Sequence, residues 1–129
     1  MIQTAITYNI KITVEPIYQP MYSKPLEHEF IHAYRISIEN LGVETVQLLR
    51  RHWYIWDSNN RAREVEGEGV VGQTPVLATG EVHQYVSGSP MRTEMGTMHG
   101  TFQMKRLVDD HLFEVIVPKF YLIPPFKYN

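Results

Sequence analysis

The sequence predicts an all-β fold: an antiparallel sandwich of the immunoglobulin or fibronectin type III-like kind, with about seven strands. Three observations carry this prediction. Apolar residues recur with a period of two in segment after segment, as strands with one buried face require. Turn-forming clusters separate those segments roughly every 8–12 residues. No stretch of even ten residues combines a 3.6-residue period with helix caps. A closed barrel is the second choice.

At the N-terminus, Ile6, Tyr8, Ile10, Ile12 and Val14 alternate with Thr7, Asn9, Lys11 and Thr13, so one half-buried strand is expected there. Between Glu15 and Leu26, Pro16, Pro20 and Pro25 remove ladder donors, and a loop or irregular edge is expected. A strand from about Glu29 to Glu39 places Phe30, His32, Tyr34, Ile36 and Ile38 on one face, and Asn40-Leu41-Gly42 turns the chain. The next strand, Thr45 to Trp56, changes phase, because Val46 and Leu48 have one parity and Trp53 and Ile55 the other. A β-bulge between Leu49 and His52 would reconcile them, as would burial on both faces.

Asp57-Ser58-Asn59-Asn60 is a turn, and a short strand around Arg63 to Glu66 pairs back. Gly67 to Pro75 is too rich in glycine for regular structure over its length. Further strands are expected at Glu81–Ser87, with Gly88-Ser89-Pro90 opening a loop, and at Gly96–Met104, with Met98, Phe102 and Met104 inward. After a turn at Asp109-Asp110 comes Leu112–Val117, which Phe120 and Leu122 extend and Pro124-Pro125 stops.

The 129 residues are expected to make one domain spanning 1–129, long enough to bury a sizeable core. With 43% hydrophobic and 20% charged residues the composition argues against disorder. Twelve Lys+Arg against 14 Asp+Glu leave no basic footprint, so no nucleic-acid partner is expected. Cysteine is absent, which excludes disulfides, zinc fingers, iron–sulfur clusters and thiol nucleophiles built on this chain. The start of the sequence lacks the pattern of a signal peptide, and no apolar run approaches the ~18 residues of a membrane span. A cytoplasmic protein without membrane insertion is expected.

Two segments could carry chemistry. Gly67-Glu68-Gly69-Val70-Val71-Gly72 spells GxGxxG, but Gln73-Thr74-Pro75 follows where a dinucleotide-binding fold would open a helix. The motif therefore reads first as a loop needing unusual backbone angles, and second as a nest of N–H groups for phosphate. Arg50-Arg51-His52-Trp53 could grip a carboxylate or phosphate, or anchor a partner protein. The plainer alternative buries Trp53 and pairs one arginine with Glu64, Glu66 or Glu68 of the neighbouring strand. The six histidines show no chelating spacing; His28 and His32 would lie ~13 Å apart along a strand. A metal site would need histidines from separate strands. No catalytic constellation is present, so no enzymatic activity, catalytic residue or cofactor is expected.

Several stretches together carry a family resemblance: Arg51-His52-Trp53-Tyr54-Ile55-Trp56-Asp57, Val65-Glu66-Gly67-Glu68-Gly69-Val70-Val71-Gly72, Pro75-Val76-Leu77 through Gly80-Glu81, and Tyr85-Val86-Ser87-Gly88. Gly96-Thr97-Met98-His99-Gly100 with Phe102 and Met104, and Phe113-Glu114-Val115 to Pro118-Lys119-Phe120, complete it. In order and spacing these resemble the ApaG family. The resemblance implies a fibronectin type III-like sandwich, a cytosolic protein and a role in protein interaction without established catalytic residues. It also brings a label of cobalt/magnesium efflux, which a chain without a membrane segment could serve only indirectly. Two departures stand out: Thr79 where the family usually has proline, and His32 where an aromatic is usual.

The leading expectation is thus a non-enzymatic interaction module whose partner or ligand meets Arg50, Arg51, Trp53, Gly67, Glu68, Gly69 and Gly72. The alternatives are a small binder of phosphate, pyrophosphate or nucleotide through the Gly67–Gly72 loop, and a divalent-metal sensor. The protein partner is unidentified, and a homodimer is an open arrangement.

Overall fold

In the computed structural model, which describes residues 1–124, the N-terminal alternation folds back on itself. β1 (Gln3–Thr7) and β2 (Ile10–Tyr18) form a hairpin with Thr7 opposite Ile10. The turn residues Tyr8 and Asn9 both have positive φ, 48° and 65°. This is the backbone that a two-residue hairpin turn matched to strand twist requires. The single strand expected across Ile6 to Val14 is therefore two strands. A two-residue turn preserves the period of two, and Tyr-Asn lacks the glycine that usually marks such turns. Ile10, Ile12 and Val14 are buried, whereas Ile6 and Tyr8 are exposed.

β2 continues through Pro16 to Tyr18, further than expected. β1 covers β2 only as far as Val14, so Pro16 lies on a stretch with one free edge and its missing N–H leaves no gap in a ladder. Two short 3-10 turns, Pro20–Tyr22 and Pro25–Glu27, lead to β3 (Phe30–Asn40), whose inward set is as expected. β4 (Val46–Asp57) slips register between Leu48 and Arg50, so the phase change is a bulge at Leu49, at the start of the expected interval. β5 (Ala62–Glu68) and β6 (Val76–Leu77) both pair with β4.

β7 (Val82–Met91) runs through Gly88-Ser89-Pro90, where a loop was expected. It pairs with β3 along ten positions, and its other side is unpaired, so Pro90 is again an edge proline. β8 (Gly96–Arg106) and β9 (His111–Leu122) form the last hairpin around Asp109-Asp110. Pro124 ends the described residues, and Pro125 lies outside them.

Among the described residues nine strands, two more than expected, thus form a sandwich of two antiparallel sheets. One has the order β1-β2-β3-β7 and the other β5-β4-β8-β9, with β6 beside β4. Ile12, Ile36 and Ile38 from the first sheet meet Leu48, Phe102 and Phe120 from the second in the core. Along one side β9 lies against β1 and β2 and closes the sandwich. Along the other side β7 and β5 end their sheets and leave a cleft between them. No helix among the described residues is long and apolar enough to cross a membrane.

Candidate functional site

The strand phase decides what enters this cleft. After the bulge at Leu49, Arg51, Trp53 and Ile55 of β4 point toward the facing sheet. Register places Gly67, Val65 and Arg63 of β5 opposite them. The facing wall comes from Tyr34 of β3 and from Tyr85, Ser87 and Ser89 of β7. The cavity so formed measures about 500 Å³.

Trp53 is 3% exposed and forms the floor. Its ring meets Tyr34, Phe120 and Phe102 edge-on at centroid distances of 5.6, 5.9 and 6.0 Å. Arg51 is half-buried at one end. Its Nη1 donates to the carbonyls of Glu68 (2.9 Å) and Gly69 (3.0 Å). The guanidinium lies across Gly67: a Cβ there would stand 2.7 Å from Nη2 and 2.8 Å from Cζ. Gly67 is thus the residue that lets Arg51 reach the following backbone. Arg63 lies at the other end and spans the gap, with Nη2 donating to Ser89 Oγ (3.2 Å) and the Pro90 carbonyl (3.1 Å).

The expected pairing of Arg51 with a β5 carboxylate is not what the structure shows. Glu64 and Glu66 have the opposite parity and turn to the outer face. There His52 Nε2 stands 2.9 Å from Glu64 and its Nδ1 2.8 Å from Glu66. Parity could have excluded these acids, since consecutive residues of a strand point to opposite faces and Val65, between Glu64 and Glu66, packs against the core.

The GxGxxG segment is a tight turn rather than the mouth of a helix. Gly69 donates its N–H to Leu49 (2.7 Å), and Val70 and Gln73 exchange backbone bonds of 2.8 and 3.0 Å. Val71 and Gly72 form the tip, both with positive φ. Gly69 has φ +67° and sits against the Gln73 carbonyl, where a side chain would collide. The N–H groups of Gly69, Val70 and Gln73 therefore already serve protein carbonyls. Glu68 and Gly72 are exposed at the cleft mouth, whereas Arg50 is exposed on the outer face, opposite Glu68 and Gln103.

Sequence reasoning overlooked Arg63, Tyr34 and Tyr85. Arg51 acts on both tyrosine hydroxyls and Arg63 on that of Tyr34. Burial pushes the Tyr34 phenol up, while a hydrogen bond to Ser87 and the charges of Arg51 and Arg63 oppose that push. Burial pushes Tyr85 well above the tyrosine range, and its Oη, screened from water, has no partner among the described residues. Alternation from Tyr85 to Ser89, set beside that of β5, is the signal that could have found this lining.

For metals, the structure brings together one histidine and two acids, His52, Glu64 and Glu66, whose ligand atoms lie within 4.8 Å of one another. The two carboxylates sit on different ring nitrogens, Glu64 at Nε2 and Glu66 at Nδ1. His52 and His99 stack on either side of Tyr54 at 4.5 and 5.1 Å.

A profile of the ApaG domain matches residues 20–106. Protein ApaG of Paramagnetospirillum magneticum is 45% identical over 119 residues, 92% of this chain and 91% of the relative. Protein ApaG of Brucella canis is 45% identical over 122 residues, 95% and 93% of the two chains. The crystal structure of a putative ApaA protein from Bordetella pertussis superposes with a TM-score of 0.88 at 40% identity, covering 93% of this chain and 97% of that one. The chain belongs to the ApaG family.

Proposed function

We propose that the chain is a non-enzymatic protein-interaction module. One observation carries this reading: the segment between β2 and β3 holds large apolar side chains in water on a fixed backbone. Met21 is 93% exposed, Tyr22 72% and Leu26 99%. Single exposed apolar residues are ordinary, but three within six positions form a patch of the kind that partners bury.

The segment is ordered by its own bonds. Gln19 N–H donates to Ile31 (2.8 Å), Lys24 and Glu29 exchange backbone bonds of 2.7 and 3.0 Å, and Ser23 Oγ joins Gln19 to the Ile31 N–H at 2.8 Å each. Pro20 and Pro25 fix φ at the start of both 3-10 turns. A loop already in its bound shape loses little entropy on docking, and methionine and tyrosine are enriched at interface centres.

The test places a photo-crosslinking residue at position 22 and captures partners from a lysate of the source organism. We expect one dominant protein, lost in the Met21→Ser/Leu26→Ser variant, with the melting temperature unchanged. The same capture by that variant would refute this surface. A crosslinked dimer alone would make the partner a second copy of the chain.

A further inference from the structure

We propose that the cleft between β5 and β7 binds a small elongated organic dianion, one acid group at each end, of the class of α,ω-dicarboxylates. The inference is independent of the loop reading above. It starts from charge. Among the described residues, neither Arg51 nor Arg63 makes an ion pair; each donates only to neutral oxygens. Glu64 and Glu66 are held by His52 on the other face, and Glu68 offers Arg51 its carbonyl while its carboxylate joins no ion pair. Two unneutralised guanidiniums therefore face one cavity.

The second observation is the Tyr85 hydroxyl, a buried donor without an acceptor. A buried polar group left unmatched in a native structure needs an explanation, and an acceptor on a ligand in the cleft supplies one. Burial keeps this phenol protonated, so its O–H is available to donate to an acceptor such as a carboxylate oxygen. Both guanidiniums act on Tyr34, that of Arg51 acts on Tyr85, and all four side chains line the same cavity.

The third observation is spacing. Arg51 stands opposite Gly67, four residues along β5 from Arg63. That separates the two backbone positions by about 13 Å along the strand. A single compact anion would engage one guanidinium. A chain of several methylenes with an acid at each end would engage both and lie along Tyr34 and Val65. The larger cavity at the opposite end, about 710 Å³, lacks this character, because its Arg106 is already neutralised by Asp109 at 2.6 Å.

The test is an NMR titration of the ¹⁵N-labelled chain with adipate, hexanoate and inorganic phosphate at constant ionic strength. We expect saturable shifts at Arg63, Val65, Tyr85 and Ser87, with adipate at least about tenfold tighter than hexanoate, because a second charge-assisted pair is worth about one decade or more. Arg63→Gln should bring adipate down to the level of hexanoate. Tyr85→Phe should weaken adipate while leaving the free protein's melting temperature unchanged or higher, since it removes an unmatched buried hydroxyl. A purely structural Tyr85 would move stability the other way. Equal affinity for adipate and hexanoate, shifts outside the cleft, phosphate tighter than adipate, or an indifferent Arg63→Gln variant would overturn the proposal.

Discussion

The two long sides of the sandwich are closed by different physics. On one side β9 packs against β1 and β2, and burial of Ile10, Ile12, Val14, Val115 and Val117 makes the seal. Among the described residues a single side-chain hydrogen bond crosses the surface there, from the Ile116 N–H to Thr7 Oγ1 at 3.2 Å. On the other side β5 and β7 leave a cleft, and among the described residues Arg63 alone makes side-chain bonds from one to the other. Apolar closure is complete in itself. Closure by cations on neutral oxygens leaves charge and the Tyr85 donor unmatched along the open side.

The comparison breaks most readily at Arg51. Arg51→Ala removes two charge-assisted bonds to the Glu68 and Gly69 carbonyls and should cost about 2–3 kcal/mol in urea unfolding. A buried ion pair would cost more, about 3–5 kcal/mol, because a carboxylate would be left unmatched. Gly67→Ala should cost a comparable amount by displacing the same guanidinium. The two effects share one cause, so the double variant should fall well short of their sum. Full additivity would mean that Gly67 matters for a reason other than Arg51.

A second prediction concerns acid. His32 is buried beside Tyr18, at 5.1 Å between ring centroids, opposite Ser89, with a backbone hydrogen bond to Glu94 and no partner at Nε2. Burial lowers its pKa, and the Glu94 bond opposes that only in part. The unfolded chain therefore takes up the proton more readily than the folded one. This contribution is full above the ordinary histidine value of about 6.5 and is lost as pH falls through the lower folded value. Thermal melts between pH 7.5 and 5 should show stability declining, and His32→Phe should flatten that decline. An equal slope in the variant would place the acid sensitivity elsewhere. Asp109, held at about 2 by the hydrogen bond from Arg106, keeps its contribution constant across this window and loses it only at lower pH.

How much of this could be read beforehand follows from what a period of two can and cannot say. The inward faces of β3 and β8, the bulge in β4 and the two-sheet class were legible, because burial repeats along each strand. The β1–β2 hairpin was not, since a two-residue turn keeps the period intact and Tyr8-Asn9 carries no glycine. Pro16 and Pro90 read as breaks and proved to be edge residues, which depends on which strand lies alongside. For the site, Arg51 and the glycine segment were visible as residues, but their relation was not. That Gly67 lies beneath Arg51 follows from register, and that Arg63 and Tyr85 complete the cleft follows from which strands end the sheets.

The smallest expected effect lies on the closed side and sharpens the contrast with the open one. Thr7→Val removes the acceptor for the Ile116 N–H but keeps the branched shape that suits a strand. The bond is exposed, so water can take over the freed N–H and no buried group is left unmatched. If apolar packing of β9 on β1 and β2 closes this side, the urea midpoint should shift by no more than about 0.5 kcal/mol in stability terms. Arg63→Ala on the open side should cost more, because it removes bonds to both Ser89 and Pro90 and no packed apolar seam lies behind them. Measuring both variants under one set of conditions makes the ratio the readout. A Thr7→Val loss above about 1.5 kcal/mol, or one exceeding that of Arg63→Ala, would show that the closed side also depends on its polar clasp, and that the two sides differ in degree rather than in kind.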